Sequence, residues 1–150
     1  MAAEQIAARL SITAFRADDS ARMEAVRRIR AAVFCDEQGV PADLEWDGKD
    51  HLCEHFLLEL DGAAIGTARV RPYGPSIFKV ERVAVLKGLR GQHAGKAIMD
   101  YILERLRESG TVVLNAQSQV EDFYQRLGFV REGEVFEEAG IDHVHMVWRP

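Results

Sequence analysis

Val83-Ala84-Val85-Leu86-Lys87-Gly88-Leu89-Arg90-Gly91-Gln92-His93-Ala94-Gly95-Lys96-Ala97-Ile98-Met99 is the stretch on which the reading of this chain turns. Its first residues end a β-rich run, Ile77–Val85, and its last residues open a helical one, Ala94–Ser109. Within that helix Ala94, Ala97, Ile98, Tyr101, Ile102 and Leu106 recur on one face. Between strand and helix lies a loop carrying Gly91 and Gly95. The free backbone N–H groups of a helix N-terminus form an anion site, and the helix dipole reinforces it. Glycine lets the backbone approach a phosphate closely, and Arg90 and Lys96 add positive charge. Such a unit suits a pyrophosphate, although an ordinary strand–helix turn with two glycines has the same local features.

Working outward, Gly110 reads as the helix stop and Thr111–Gln117 as the next strand. Strand, helix and strand in that order predict a right-handed crossover joining two parallel strands. Upstream, Ser11–Arg16 alternates as a first strand. Asp18, Asp19 and Ser20 stand ready to cap a helix carrying Met23, Val26, Ile29 and Val33. Cys35–Lys49 breaks that period and reads as an irregular loop with at most a short helix. His51–Leu60 and Ala63–Arg71 read as a hairpin about Asp61-Gly62, closed off by Pro72, Gly74 and Pro75. Downstream, Ser118-Gln119-Val120-Glu121 has the form of a capping box for a short helix to Leu127, with Gly128 as its stop. Final strands are expected near Phe129–Glu137 and His143–Trp148. The fold class is α/β (α+β): one domain over residues 1–150, with a mixed sheet flanked by helices. The N-terminal part of that sheet is antiparallel and a parallel βαβ crossover follows.

Composition removes several function classes. A net charge of −5 argues against a general binder of nucleic-acid backbones. No apolar run approaches the ~20 residues needed to span a bilayer, so no membrane partner is expected. The opening MAAEQIAARL carries the acidic Glu4 and only a short, broken apolar stretch and does not read as a signal peptide, so a cytoplasmic location is the expectation. Cys35 and Cys53 are too few for a disulfide scaffold and read as reduced thiols.

Arg90 to Gly95 resembles the Arg/Gln-x-x-Gly-x-Gly/Ala pyrophosphate loop of the GNAT N-acetyltransferases. Asp122-Phe123-Tyr124-Gln125-Arg126-Leu127-Gly128-Phe129 resembles that family's Phe-Tyr-x-x-x-Gly-Phe segment. Val33-Phe34-Cys35-Asp36-Glu37-Gln38-Gly39-Val40-Pro41 and Glu138-Ala139-Gly140-Ile141-Asp142-His143 resemble one branch of it, the small bacterial ElaA/YjcF type. The resemblance covers the chain from about Arg30 onward. It implies an acetyl-CoA-dependent N-acetyltransferase with no metal, acting on an amine of a small molecule or protein. The backbone of Val83, Ala84 and Val85 would bind the pantetheine arm, and Arg90, Gly91, Gln92, His93, Ala94, Gly95 and Lys96 the pyrophosphate. Phe123 and Asn115 join the cofactor set, Asn115 as a polar contact to pantetheine or else as an ordinary strand-end amide. His93 stands where the family's loop has its first glycine, so its side chain must point away from the phosphates or hydrogen-bond them.

Acetyl transfer needs a neutral amine, a stabilised oxyanion and a proton for the leaving sulfur. By resemblance Tyr124 is the general acid. Helical spacing, however, makes Val120, Phe123 and Leu127 the core-facing set and leaves Tyr124 off that stripe. A backbone N–H near Val83 would hold the oxyanion, at a bulge of the kind the family uses. Glu81, two residues before Val83, faces the same way in a regular strand and is a candidate base, directly or through a water. It could instead pair with Arg82 or Arg69, with the enzyme binding amine that is already neutral.

Asp36, Glu37, Asp43, Glu45, Asp47 and Asp50 form either an acidic mouth that attracts an amine or a solvated loop. Asp43-x-Glu45-x-Asp47-Gly48 with Glu54 approaches a calcium loop but departs from it at Glu45 and Asp50, and a strand follows where a helix should. His51, Cys53 and His55 share a strand face and could ligate a metal with His143 and His145, or be incidental. Cys35 has no positioned histidine for nucleophilic work. Two alternatives to acetyl transfer stand: a non-catalytic acyl-CoA-binding module, and an enzyme using a longer acyl donor. The latter follows from the similarity of Arg30–Asp50 to acyl-homoserine-lactone synthases. The sheet edges leave room for a homodimer.

Overall fold

The structure, a computed structural model, describes residues 9–91 and 93–150. Seven strands form one sheet: β1 (Leu10–Arg16), β2 (Glu54–Leu60), β3 (Ala63–Gly74), β4 (Ile77–Val85), β5 (Thr111–Gln117), β6 (Val130–Glu138) and β7 (Ile141–Trp148). Their order is β1-β2-β3-β4-β5-β7-β6, antiparallel throughout except where β4 meets β5. The helices are α1 (Ser20–Arg30), α2 (Ala42–Glu45), α3 (Ala94–Leu106) and α4 (Glu121–Arg126). This is the mixed sheet with a parallel crossover that the residue pattern predicts.

Local chemistry accounts for the elements. The β2–β3 hairpin turns on Asp61 (φ 51°) and Gly62 (φ 82°), the two positive values a type I′ turn requires. Asp19 caps α1, its carboxylate accepting from the Arg22 N–H. Beyond Arg30 the helix does not stop but widens into a π-helical segment, Ala31–Glu37, with Gln38 N donating to Val33 O at 3.2 Å. That segment occupies part of the expected irregular loop.

Two apolar clusters lie on opposite faces of the sheet. The larger one packs Ile98, Met99, Ile102, Leu103 and Leu106 of α3 on Phe56, Leu58, Val80, Val112 and Leu114. The smaller one packs Met23, Val26 and Ile29 of α1 with Val33 and Phe34 on Phe15, Leu57 and Ala84. The buried stripe of α3 therefore runs through Met99 and Leu103 rather than Ala97 and Tyr101, the latter being exposed. The expected capping box is also corrected. Ser118 lies in a separate 3₁₀ turn, its Oγ is buried without a partner, and α4 starts after Val120 with no side-chain cap.

Loop 42–52 is bound to the α1-side face of the sheet by ion pairs rather than by apolar contact. Arg30 and Arg69 are each 1% exposed. Arg30 donates to Glu45 and Asp50, both at 2.7 Å, and Arg69 to Asp47 at 2.6 Å, Asp50 at 2.9 Å and Glu81 at 3.3 Å. Burial alone would raise the carboxyl pKa values of Asp47, Asp50 and Glu81. Hydrogen bonds and charge from the surrounding cations outweigh it and hold all three below the ordinary range. Groups depressed in the folded state contribute stability that is complete above the unfolded carboxylate range, near ~4, and fades as pH falls through the folded values. Thermal melts should therefore give a midpoint that is flat from neutral pH to about 5 and then falls progressively on further acidification. A midpoint unchanged down to pH 3 would contradict this account. Among the described residues, no helix is long and apolar enough to cross a membrane.

Candidate active site

The site begins with an irregularity in β4. Thr67 of β3 pairs with Ala84 and Arg69 pairs with Glu81, so β4 carries one extra residue there. Arg82 takes it up with φ 58°, a left-handed conformation rare outside glycine. The bulge reverses the alternation. Glu81 stays on the α1 side with the arginines, whereas Val83 and Val85 pack with the α3 cluster. Glu81 and Val83 therefore do not face the same way, which corrects the regular-strand expectation. Glu81 instead accepts from Arg71 at 2.7 Å and Arg69 at 3.3 Å, with Lys79 at 3.6 Å. A carboxylate so surrounded is a weak base.

β4 and β5 pair only over Ile77↔Thr111, Phe78↔Val112 and Lys79↔Val113. Past Lys79 the two strands part, and β4 through Val85 has no strand on that side. The opening is a cleft edged by backbone N–H and C=O groups that can pair an extended ligand. At its far end α3 begins. The first intrahelical bond runs from Ala97 N to His93 O at 2.9 Å, which leaves the amides of Ala94, Gly95 and Lys96 without helical acceptors. His93 is the N-cap, with φ 65° and no capping hydrogen bond from its side chain. Gly91 has φ 80°. These positive values explain why glycine suits this loop, and why a histidine at position 93 costs backbone strain. Gln92 lies outside the described residues.

The predicted cations of the loop are already paired. Arg90 donates from Nε to Val85 O at 2.9 Å and grips the Glu37 carboxylate with both terminal nitrogens, at 2.5 and 2.6 Å. Lys96 pairs with Asp100 at 2.6 Å. Ala94 is buried, and a Cβ on Gly95 would stand 3.4 Å from Phe123 Cζ, so the start of α3 abuts α4.

Tyr124 is the buried residue of α4, 7% exposed, whereas Val120 is exposed. The expectation that Tyr124 lies off the core stripe is thus corrected. Its ring meets Phe123 and Phe129 edge-on, with centroids 5.0 and 5.8 Å away. Burial raises its pKa above the ordinary tyrosine value, so the hydroxyl remains a neutral donor.

Asn115 is half-buried, and its Oδ1 lies 2.9 Å from His145 Nδ1, its register partner on β7. Val112, Leu114 and Ala116 face α3, so alternation puts Asn115 and Gln117 on the opposite, α1 face. Gln117 confirms this by exchanging amide hydrogen bonds with Gln38 at 2.9 and 3.3 Å. The end of the π-helical segment therefore bridges the cleft mouth, Glu37 reaching the loop after β4 and Gln38 the end of β5.

Of the acidic residues, Asp36, Glu37 and Asp43 are exposed, Glu37 in its pair with Arg90, whereas Glu45, Asp47 and Asp50 are neither solvated nor an open mouth, because buried arginines hold them. The calcium-like pattern fails for the same reason. His55 is buried with Nε2 on Asp50 O at 2.9 Å, and Cys53 donates to Lys49 O at 3.3 Å. His143 Nδ1 lies 2.7 Å from Ile141 O. The structure does not gather these side chains with His145, and among the described residues no group of three or more metal-ligating side chains converges. Arg71, the Glu37–Arg90 pair and the Asn115–His145 pair escape a sequence reading. The alternation of Asn115 with Gln117 and of His143 with His145 was visible, but the pairing of β5 with β7 is not local.

The model of the Acetyltransferase (GNAT) domain matches residues 18–150. The N-acetyltransferase YjcF of Bacillus subtilis is 34% identical over 125 residues, 79% of this chain and 86% of that protein. The ElaA protein of Escherichia coli is 32% identical over 131 residues, 83% of this chain and 86% of its own length. The crystal structure of E. coli ElaA superposes with a TM-score of 0.84 over 93% of this chain and 99% of that one. That of an acyl-CoA N-acyltransferase from Pseudomonas aeruginosa, 29% identical, superposes with a TM-score of 0.80 over the same shares. With the bulged, splayed β4, the uncapped α3 and the family match over most of its length, the chain belongs to the GNAT acetyltransferases and is an acyltransferase of that family.

Proposed function

We propose that the protein transfers the acetyl group of acetyl-CoA to a primary amine of a small molecule or a protein by direct attack. The observation that carries this reading is the cleft between β4 and β5, which ends at the uncapped N-terminus of α3. Its free strand edge suits the amide groups of a pantetheine arm, and the unbonded amides of Ala94, Gly95 and Lys96 suit a pyrophosphate. The P. aeruginosa relative's description as an acyl-CoA enzyme supports the same donor. Acetyl-CoA supplies an activated thioester; the protein supplies position, an oxyanion site and a proton. The Val83 N–H, turned by the bulge, is the candidate oxyanion donor. Tyr124 Oη is the candidate donor to the leaving sulfur.

Calorimetric titration with acetyl-CoA, CoA, octanoyl-CoA and ATP tests the donor. A panel of tyramine, lysine methyl ester and 1,4-diaminobutane tests the acceptor by thiol release. Saturable binding of acetyl-CoA and CoA but not ATP, with turnover of an amine, is the expected result. Tighter binding of octanoyl-CoA would favour a longer acyl donor. Binding without turnover of any amine would favour a non-catalytic module, and no binding of any CoA species would sink the reading.

A further inference from the structure

We propose that His145 is the general base that takes the acceptor's proton, with Asn115 as the positioning residue that fixes its tautomer. This rests on the acetyl-transfer reading above and fills the role that the ion-paired Glu81 is ill suited to play.

An amide oxygen carries no hydrogen, so the 2.9 Å contact between Asn115 Oδ1 and His145 Nδ1 requires that Nδ1 hold the proton. The neutral ring then presents its lone pair at Nε2, which has no partner among the described residues. β5 borders the cleft, and His145 is drawn toward it from β7 by this hydrogen bond. Both side chains stand on the face opposite α3, the face beneath the π-helical segment, where Gln38 meets Gln117. The acceptor can thus reach the thioester from the α1 side while the cofactor chain occupies the cleft itself. His143 shares the face, but its ring is committed. Nδ1 is on Ile141 O, Nε2 lies 3.7 Å from Glu138, and the ring stacks on Phe136 at 5.9 Å. Across the β6–β7 pairing the charged groups on this side are Glu132, the register partner of His145, and Arg149, which donates to Glu132 at 3.3 Å. Asn115 is the group that faces it from β5.

The protons balance. His145 Nε2 removes one proton from the acceptor ammonium, directly or through a water, and returns it to solvent. The freed nitrogen lone pair forms the N–C bond and the C–S bond breaks. Tyr124 gives its hydroxyl proton to the sulfur and is restored by the second proton leaving the attacking nitrogen. An ammonium and a thioester become an amide, a thiol and one solvent proton.

The test pairs a spectroscopic readout with kinetics. In ¹⁵N-histidine-labelled protein, His145 should show the Nδ1–H tautomer, and Asn115→Ala should abolish that preference; an Nε2–H tautomer in the wild type overturns the proposal. For kinetics at pH 8.5, the best alkylamine of the panel, still largely ammonium, is compared with its β,β-difluorinated analogue, whose nitrogen is largely neutral there. His145→Gln should lower kcat/KM for the alkylamine about 10²-fold. It should lower kcat/KM for the analogue less than about threefold, because no proton need be removed first. His145→Asn should behave alike, and calorimetric affinity for CoA, unchanged in both variants, certifies the fold. Equal losses with both amines, or no loss, overturn the role of His145 and leave the acetyl-transfer reading intact. Failure of the wild type to bind CoA or transfer acetyl at all brings down both.

Discussion

Tyr124→Phe should lower kcat on the order of 10²–10⁴-fold while leaving CoA affinity and thermal stability close to wild type. The two halves of this expectation have separate physical sources. Stability is preserved because the ring, not the hydroxyl, does the packing. Phe123 and Phe129 hold it edge-on from two sides, and among the described residues nothing hydrogen-bonds the oxygen, so its removal strands no partner. Activity should be lost because the proposed role of Tyr124 Oη, proton donor to the leaving sulfur, goes with the hydroxyl. The raised pKa of Tyr124 keeps its proton in place at every working pH, so kcat should not decline on the alkaline side through ionisation of this group below the ordinary tyrosine range. Measured kcat and KM for the best amine, beside a calorimetric CoA titration, separate the outcomes. A loss confined to KM or to CoA binding would make Tyr124 a packing residue. A kcat within about threefold of wild type would remove it from the mechanism.

Much of the fold was legible because its signals are local. Asp61-Gly62 forces its own turn, β4 and β5 are bounded by Pro, Gly and a period-2 pattern, and Asp19 caps α1 within three residues. What escaped depends on the third dimension. The phase of α4 misled because the helix is only six residues long. Val120 lies before its first turn, so helical spacing counted from there selects the wrong face. The bulge at Arg82 is a register difference between two strands, invisible along either one. The acidic loop looked solvated because its partners, Arg30, Arg69 and Arg82, are 15 to 37 residues distant. At the candidate site the backbone elements were readable from glycine and helix patterns, whereas the side-chain pairings Glu37–Arg90 and Asn115–His145 were not, since each spans 30 residues or more.

Arg69→Ala should cost about 3–5 kcal/mol of stability, because it leaves buried charges without their counter-ion. Arg69 is 1% exposed and its guanidinium holds Asp47, Asp50 and Glu81 together. Urea unfolding should show the drop as a lower midpoint with an unchanged slope. Combining Arg69→Ala with Asp47→Asn and Glu81→Gln should restore part of the loss, since the penalty comes from the stranded carboxylates rather than from the pair's net worth. A single-mutant loss under about 1 kcal/mol would mean that water takes over the role of Arg69. The consequence should extend to catalysis. Arg69 pairs in register with Glu81, the residue before the bulge, and Arg82 is tied to the same loop through Glu45 at 3.1 Å and Asp47 at 3.4 Å. A left-handed conformation at a non-glycine residue costs on the order of 1–3 kcal/mol and persists only while its surroundings impose it. Loop 42–52, fastened by Arg30 and Arg69, is what imposes it here. The variant should therefore lose more kcat than CoA affinity, because the proposed pyrophosphate site lies at the start of α3, beyond the end of β4, whereas the proposed oxyanion donor, the Val83 N–H, directly follows the bulge. A buried ion network is seldom the most stable way to fill such a space. Here it holds β4 in the irregular shape on which the proposed oxyanion donor, the Val83 N–H, depends.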